Sequence, residues 1–197
     1  MQNKEFYNDY IQAFLKQNAK LNLISKNDEK FLWEKHIFDS LSIEKFFEKY
    51  GKAKTMLDIG TGGGFPALPV AYTYKDIDVY PLDSIRKKIN AINEMKDELN
   101  LKNVHPICER AEKLNQKFDL ITSRAVAPLK VITSYALPLL KDEGFFVAFK
   151  SLKAQEEIDD AKSILKKFNA KVTDVIEYDL PLEENHTRNL IVIKQQL

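Results

Sequence analysis

The chain has 197 residues, 44% hydrophobic and 30% charged, with a formal net charge of +1, a composition that fits one compact domain able to bury a core without metals. Its single cysteine, Cys108, excludes an internal disulfide framework, and the neutral balance excludes the global pull on nucleic acid that a strongly basic protein exerts. The opening MQNKEFYNDY has no apolar run after a basic stretch, and no later segment approaches a membrane span, so we expect no signal peptide, no membrane partner and a cytoplasmic location.

Apolar residues at positions 6, 10, 11, 14 and 15 mark a first helix, followed by a polar break around Asn18 to Leu23. A second helix is expected from about Asp28 to Lys49, with Asp28 as its cap and Gly51 as its stop. Both precede any strand signal. After Gly51 short apolar runs alternate with helical stretches, the signature of a parallel sheet. Strands are expected near Thr55–Ile59, Asp76–Leu82, Val104–Cys108, Phe118–Thr122, Gly144–Lys150, Lys171–Tyr178 and Asn189–Lys194. Asp179 to Arg188 is too short for a crossover helix and contains Pro181, so the last two strands should pair antiparallel at one edge. The expected fold is α/β and Rossmann-like. It has a seven-stranded, mostly parallel sheet whose last strand is antiparallel, with residues 1–50 as a helical cap on a core of 51–197 in one domain, 1–197.

The first strand runs into Asp58-Ile59-Gly60-Thr61-Gly62-Gly63-Gly64 and then a helix. Glycines there permit a tight turn and close approach of a ligand to the backbone. Gly62, Gly64 and Ala67 also satisfy G-x-G-x-x-A, so a nicotinamide-dependent oxidoreductase is one reading. Asp58 argues against it, because a carboxylate two residues before Gly60 repels a pyrophosphate but suits an ammonium group or the turn itself. Read from Gly60, Phe65 stands where the fingerprint needs its third glycine. A last strand paired back at the edge resembles methyltransferases that use S-adenosylmethionine. Asp83, closing the second strand, is placed to accept hydrogen bonds from ribose hydroxyls or to cap the next helix. Cys108 to Glu112 follows the third strand, where an adenine would lie.

Taken together, these residues resemble the glucose-inhibited division protein B family of ribosomal RNA small subunit methyltransferases, over nearly the whole chain. The likeness rests on Asn22 to Ser25, His36 to Ser40, DIGTGGGFP with Leu68-Pro69, Leu82 to Ser84, Arg110 to Glu112, Ser123 to Ala125 and Arg188 to Ile193. The resemblance implies transfer of a methyl group from S-adenosylmethionine to N7 of one guanine in 16S rRNA, in the small ribosomal subunit or an assembly intermediate. It places cofactor contacts on Gly60, Phe65, Ala111, Glu112 and Arg124, beside Asp58, Gly62 and Asp83 from the reading above.

Guanine N7 has a free lone pair, so its methylation requires no general base. His36, His105 and His186 are scattered without metal spacing or a nucleophile triad. Ser123 to Pro128 stands where amino-methylating enzymes carry Asn/Asp-Pro-Pro-aromatic, which disfavours an exocyclic amine. Arg124, ending the fourth expected strand, should orient cofactor or guanine through O6, a phosphate or the cofactor, or else brace its loop by an ion pair. His36 and Asp39 share a helix face. His36, Lys150 and Arg188 are candidate RNA contacts. A methyltransferase acting on a small molecule or protein is the nearest alternative, and a non-catalytic cofactor-binding regulator is a third. No DNA partner is expected, and the modest size suggests a monomer.

Overall fold

Successive residues of the central strands enter different cores, and this two-sided burial fixes a sheet covered by helices on both faces. The computed structural model describes residues 4–184 and 186–196. It contains β1 (Thr55–Ile59), β2 (Asp78–Leu82), β3 (Phe118–Arg124), β4 (Leu140–Lys150), β5 (Ala170–Leu180) and β6 (His186–Gln195), in the order β2-β1-β3-β4-β6-β5. Met56, Leu120, Val147 and Val192 point into one core. Their neighbours Leu57, Ile121, Phe146 and Ile191 point into the other. The first core is closed by α1 (Asn8–Leu21), α4 (Glu44–Tyr50), α5 (Ala67–Thr73) and α6 (Arg86–Glu98), the second by α7 (Leu129–Ala136) and α8 (Ala154–Lys167). The short α2 (Lys26–Glu29) and α3 (Asp39–Leu41) flank a π-helical stretch, Trp33–Phe38.

The α/β class and the parallel pairing of β2, β1, β3 and β4 are as expected. The expected third strand, Val104–Cys108, is reduced to isolated parallel bridges, Val79 to Val104 and Leu82 to Ile107. His105 and Ile107 donate to the carbonyls of Val79 and Pro81, each at 2.8 Å. Pro106 between them has no N–H, and a proline is tolerated on an outer edge because no further strand calls on its missing donor. Six strands therefore form among the described residues, with this segment beside β2. At the other end β6 pairs antiparallel with both β4 and β5, so it sits inside the sheet and β5 forms the edge. Asn185, in the connection between them, lies outside the described residues.

The N-terminal helices depart from their expected bounds. Helix α1 continues into the polar break as far as Leu21, where Gln17 and Asn18 are buried and bonded, to Glu94 and to Glu29. Asn22 ends it in the left-handed conformation. Ser25 rather than Asp28 caps α2, its Oγ accepting the Asp28 amide at 3.2 Å. The expected single helix from Asp28 to Lys49 is broken into pieces. Ser40 and Ser42 donate to the carbonyls of His36 and Phe38 at 2.6 and 3.1 Å, back-bonding that bends a helix.

Asn103 secures the approach to β2. Its side-chain amide donates to the carbonyls of Ala71, Tyr74 and Ile77 at 3.0–3.2 Å. Asn103→Ala should lower unfolding stability by about 1–3 kcal/mol, the cost of leaving buried carbonyls unpaired, with urea denaturation as the measurement.

Candidate active site

The glycine turn joins β1 to α5 and is pinned from β2. The amides of Gly60 and Thr61 both donate to the Leu82 carbonyl, at 2.8 and 2.9 Å. Gly60 and Gly62 have φ of +70° and +57°, the region that favours glycine. A Cβ on Gly60 would lie 2.5 Å from Val126 Cγ2, so the turn also admits the loop after β3. Asp83 ties the approach to α6, near the capping place expected of it, and also the glycine turn, which the sequence did not suggest. Its Oδ2 accepts the Gly62 amide at 3.1 Å and its Oδ1 the Ile85 amide at 2.9 Å. Lys88 Nζ stands 3.5 Å from Oδ2, so Oδ1 is the oxygen with a lone pair to offer a ribose hydroxyl.

Asp58 lies wholly buried beneath the turn, where Thr122 Oγ1 donates to its Oδ1 at 3.0 Å. Burial raises its pKa from 3.8 to about 7, with the Thr122 hydrogen bond and the Arg124 charge opposing. No side-chain surface of Asp58 reaches solvent, and its Oδ2 has no hydrogen-bond partner among the described residues.

Gly60, Asp83, Ala111 and Glu112 line one open cleft of about 420 Å³ at the carboxyl ends of β1 and β2. Ala111 and Glu112 open a short 3-10 helix, Ala111–Lys113. The first amides of a helix have no partner within it, so these two can donate to a ligand. A floor without side chains, a carboxylate for hydroxyls and two amides for a ring edge fit an adenosine.

A second cleft, about 540 Å³, adjoins the first. Arg124, His36, Lys150 and Arg188 line it, and Ala125 lines both. The candidate residues Arg124, His36, Lys150 and Arg188, far apart in sequence, are thus brought together. Arg124 is largely committed. Its Nη1 donates to the Lys35 carbonyl at 3.0 Å and to Asp39 Oδ2 at 2.8 Å, and its Nη2 donates to His36 Nδ1 at 2.9 Å. Phe65 from the glycine turn lies against the guanidinium, 5.2 Å from ring centroid to Cζ. His36 and Asp39 do share a face, and what they share is Arg124. Because Nδ1 accepts, the imidazole is neutral with its proton on Nε2. Burial and then the Arg124 charge lower its pKa from 6.5 to about 4.

Lys150 lines the cleft but is engaged, donating to the Ala127 carbonyl at 2.8 Å and pairing with Glu157 at 2.6 Å. Sequence reading missed Tyr178, whose hydroxyl donates to Asp39 Oδ1 at 2.7 Å, and Val126, packed on Gly60. No local signal marks either one, because their partners come from distant segments. Among the described residues no His, Cys, Asp and Glu group is arranged to hold a metal. No helix there is long and apolar enough to cross a membrane.

The sheet, the glycine turn and the paired clefts define a Rossmann-like methyltransferase. A family profile described as rRNA small subunit methyltransferase G matches residues 3–194, and the chain belongs to that family. A relative from Bacillus licheniformis, "Ribosomal RNA small subunit methyltransferase G", is 36% identical over 98% of this chain and 82% of its own. One of the same name from Listeria monocytogenes is 35% identical, over 96% and 81%. Among solved structures, M. jannaschii TYW2 in complex with AdoMet aligns with a TM-score of 0.60 at 18% identity, covering 80% of this chain and 77% of that one.

Two outcomes follow from this geometry. Gly60→Ala should weaken cofactor binding at least ~10-fold by calorimetry, since the methyl both strains a positive φ and displaces Val126. The second concerns pH. Depressed His36 contributes stability that is present above about pH 6.5 and lost on acidification toward 4, whereas raised Asp58 contributes stability present below about 3.8 and lost on rising toward 7. The two slopes oppose each other between pH 4 and 6.5. Asp58→Asn removes one, so the variant's stability should fall more steeply than that of the wild type on acidification, by about 1 kcal/mol per pH unit. Equal slopes in urea titrations would show that Asp58 is already ionised in the fold.

Proposed function

We propose that this protein transfers a methyl group to N7 of a guanine in 16S rRNA, presented in the small ribosomal subunit or an assembly intermediate, and that it acts as a cytoplasmic monomer. The observation that carries the reading is the meeting of two clefts at Ala125, one suited to an adenosine and the other wide enough for a base. Family membership supplies the ribosomal RNA. In this reading residues 1–50 cap a single unit of 1–197 and wall the second cleft.

Gly60, Gly62, Asp83 and the amides of Ala111 and Glu112 would hold the nucleoside. Phe65 and Arg124 would border its amino-acid end, with Asp58 fixing the turn beneath. Bound S-adenosylmethionine supplies an electrophilic methyl group on its sulfonium. The chain then has to orient the base and exclude water, because N7 offers its lone pair without proton removal. The carboxylates of the second cleft are already paired: Asp28 with Lys35, Asp39 with Arg124 and Glu157 with Lys150. That pairing removes repulsion toward RNA phosphates. It also leaves Arg188, with no partner recorded among the described residues, as the cation best placed to meet one.

The test is direct mapping of N7-methylguanine in 16S rRNA from cells with and without this protein. Loss of one modified guanine is expected, restored by the intact gene; an unchanged map overturns the reading. Assembled subunits, naked 16S rRNA and a protein extract, each offered labelled cofactor, would separate the ribosomal reading from methylation of a protein. The rate of transfer should stay level across the neutral pH range.

A further inference from the structure

Arg124 has five N–H groups, and the structure commits three of them. Nη1 serves the Lys35 carbonyl and Asp39, and Nη2 serves His36. The remaining two, Nε–H and one hydrogen on Nη2, sit on adjacent nitrogens and have no recorded partner among the described residues. Two donors at that spacing match the two oxygens of a carboxylate. Phe65 against the guanidinium face limits its tilt.

What holds the guanidinium in its plane is Asp39, and what holds Asp39 is Tyr178. The carboxylate is buried, with Oδ2 on Arg124 at 2.8 Å and Oδ1 on the Tyr178 hydroxyl at 2.7 Å. Without that hydroxyl, Oδ1 would be buried unpaired, and the carboxylate would be free to rotate and share both oxygens with Arg124. The hydroxyl stays protonated, since burial holds its pKa far above the usual tyrosine value, with Asp39 adding to the rise. Tyr178 stands on β5, the outer strand, and comes from the half of the sheet that carries no part of the adenosine cleft. Its contact with Asp39 is therefore not needed to build that cleft.

We propose that Tyr178 is a positioning residue that, through Asp39, fixes Arg124 with its two uncommitted N–H groups toward the amino-acid carboxylate of the cofactor. The inference rests on the reading that Arg124 contacts the cofactor, and the test separates the two. Full-length wild type, Tyr178→Phe, Asp39→Asn and Arg124→Gln are titrated calorimetrically with S-adenosylmethionine and with 5′-methylthioadenosine, which lacks the amino-acid portion. Tyr178→Phe should weaken S-adenosylmethionine by about 2- to 12-fold, the range of one hydrogen bond, and leave 5′-methylthioadenosine unchanged. Asp39→Asn should show the same selectivity more strongly and decides the matter if Tyr178→Phe folds poorly. Equal weakening of both ligands means that Tyr178 only supports the fold, which overturns the proposal. Wild-type affinity in Tyr178→Phe beside a selective loss in Arg124→Gln overturns the positioning role alone. Unchanged affinity in Arg124→Gln overturns the reading beneath it.

Discussion

The guanidinium of Arg124 ties together three parts of the chain. It leaves the end of β3, binds a carbonyl, a carboxylate and an imidazole of the N-terminal helices, and through Asp39 reaches β5. Burying such an ion pair brings little net stability, because desolvation offsets the attraction. Removing one partner is another matter, with a cost of about 3–5 kcal/mol for the charge left behind. The pair therefore acts as a constraint on geometry. Only a packing that brings Asp39 and His36 to the end of β3 avoids stranding a charge.

That constraint explains the irregular helices. A regular helix from Asp28 to Lys49 would present its side chains at fixed angular steps. The π-helical stretch Trp33–Phe38 and the serine back-bonds after it interrupt the steps where Lys35, His36 and Asp39 meet Arg124. π-turns are rare in helices and frequent at functional sites. Here the local deformation coincides with the wall of the second cleft.

The two clefts differ in the chemistry they offer. The first offers backbone amides, a carboxylate and glycines at the carboxyl ends of parallel strands, where open α/β sheets bind their ligands. The second is lined by side chains whose charges are mostly matched in pairs. Asp28, Asp39 and Glu157 are matched by Lys35, Arg124 and Lys150, while Arg188 has no recorded ion-pair partner among the described residues. Ala125, at φ +55°, stands where the two clefts join.

The strand β1, the glycine turn, Asp83 at the end of β2 and the antiparallel return were legible in the sequence, because each is written in a few consecutive residues whose backbone demands are local. The expected third strand is reduced to two isolated bridges beside β2, a shortening that no local pattern in Val104–Cys108 announces. Arg124 could be suspected from its motif, but its partners lie 85 to 89 residues away, and Tyr178 lies 139 from Asp39. No periodicity spans such distances. Lys150, a candidate RNA contact from the sequence, is engaged by Glu157 and the Ala127 carbonyl. The sequence by itself determined the α/β class, the glycine turn and the family, since those follow from short-range pattern. Which charges are paired, which donors stay free and which cleft each faces were decided only by the tertiary structure, because pairing depends on what the folded chain brings within a hydrogen bond's reach.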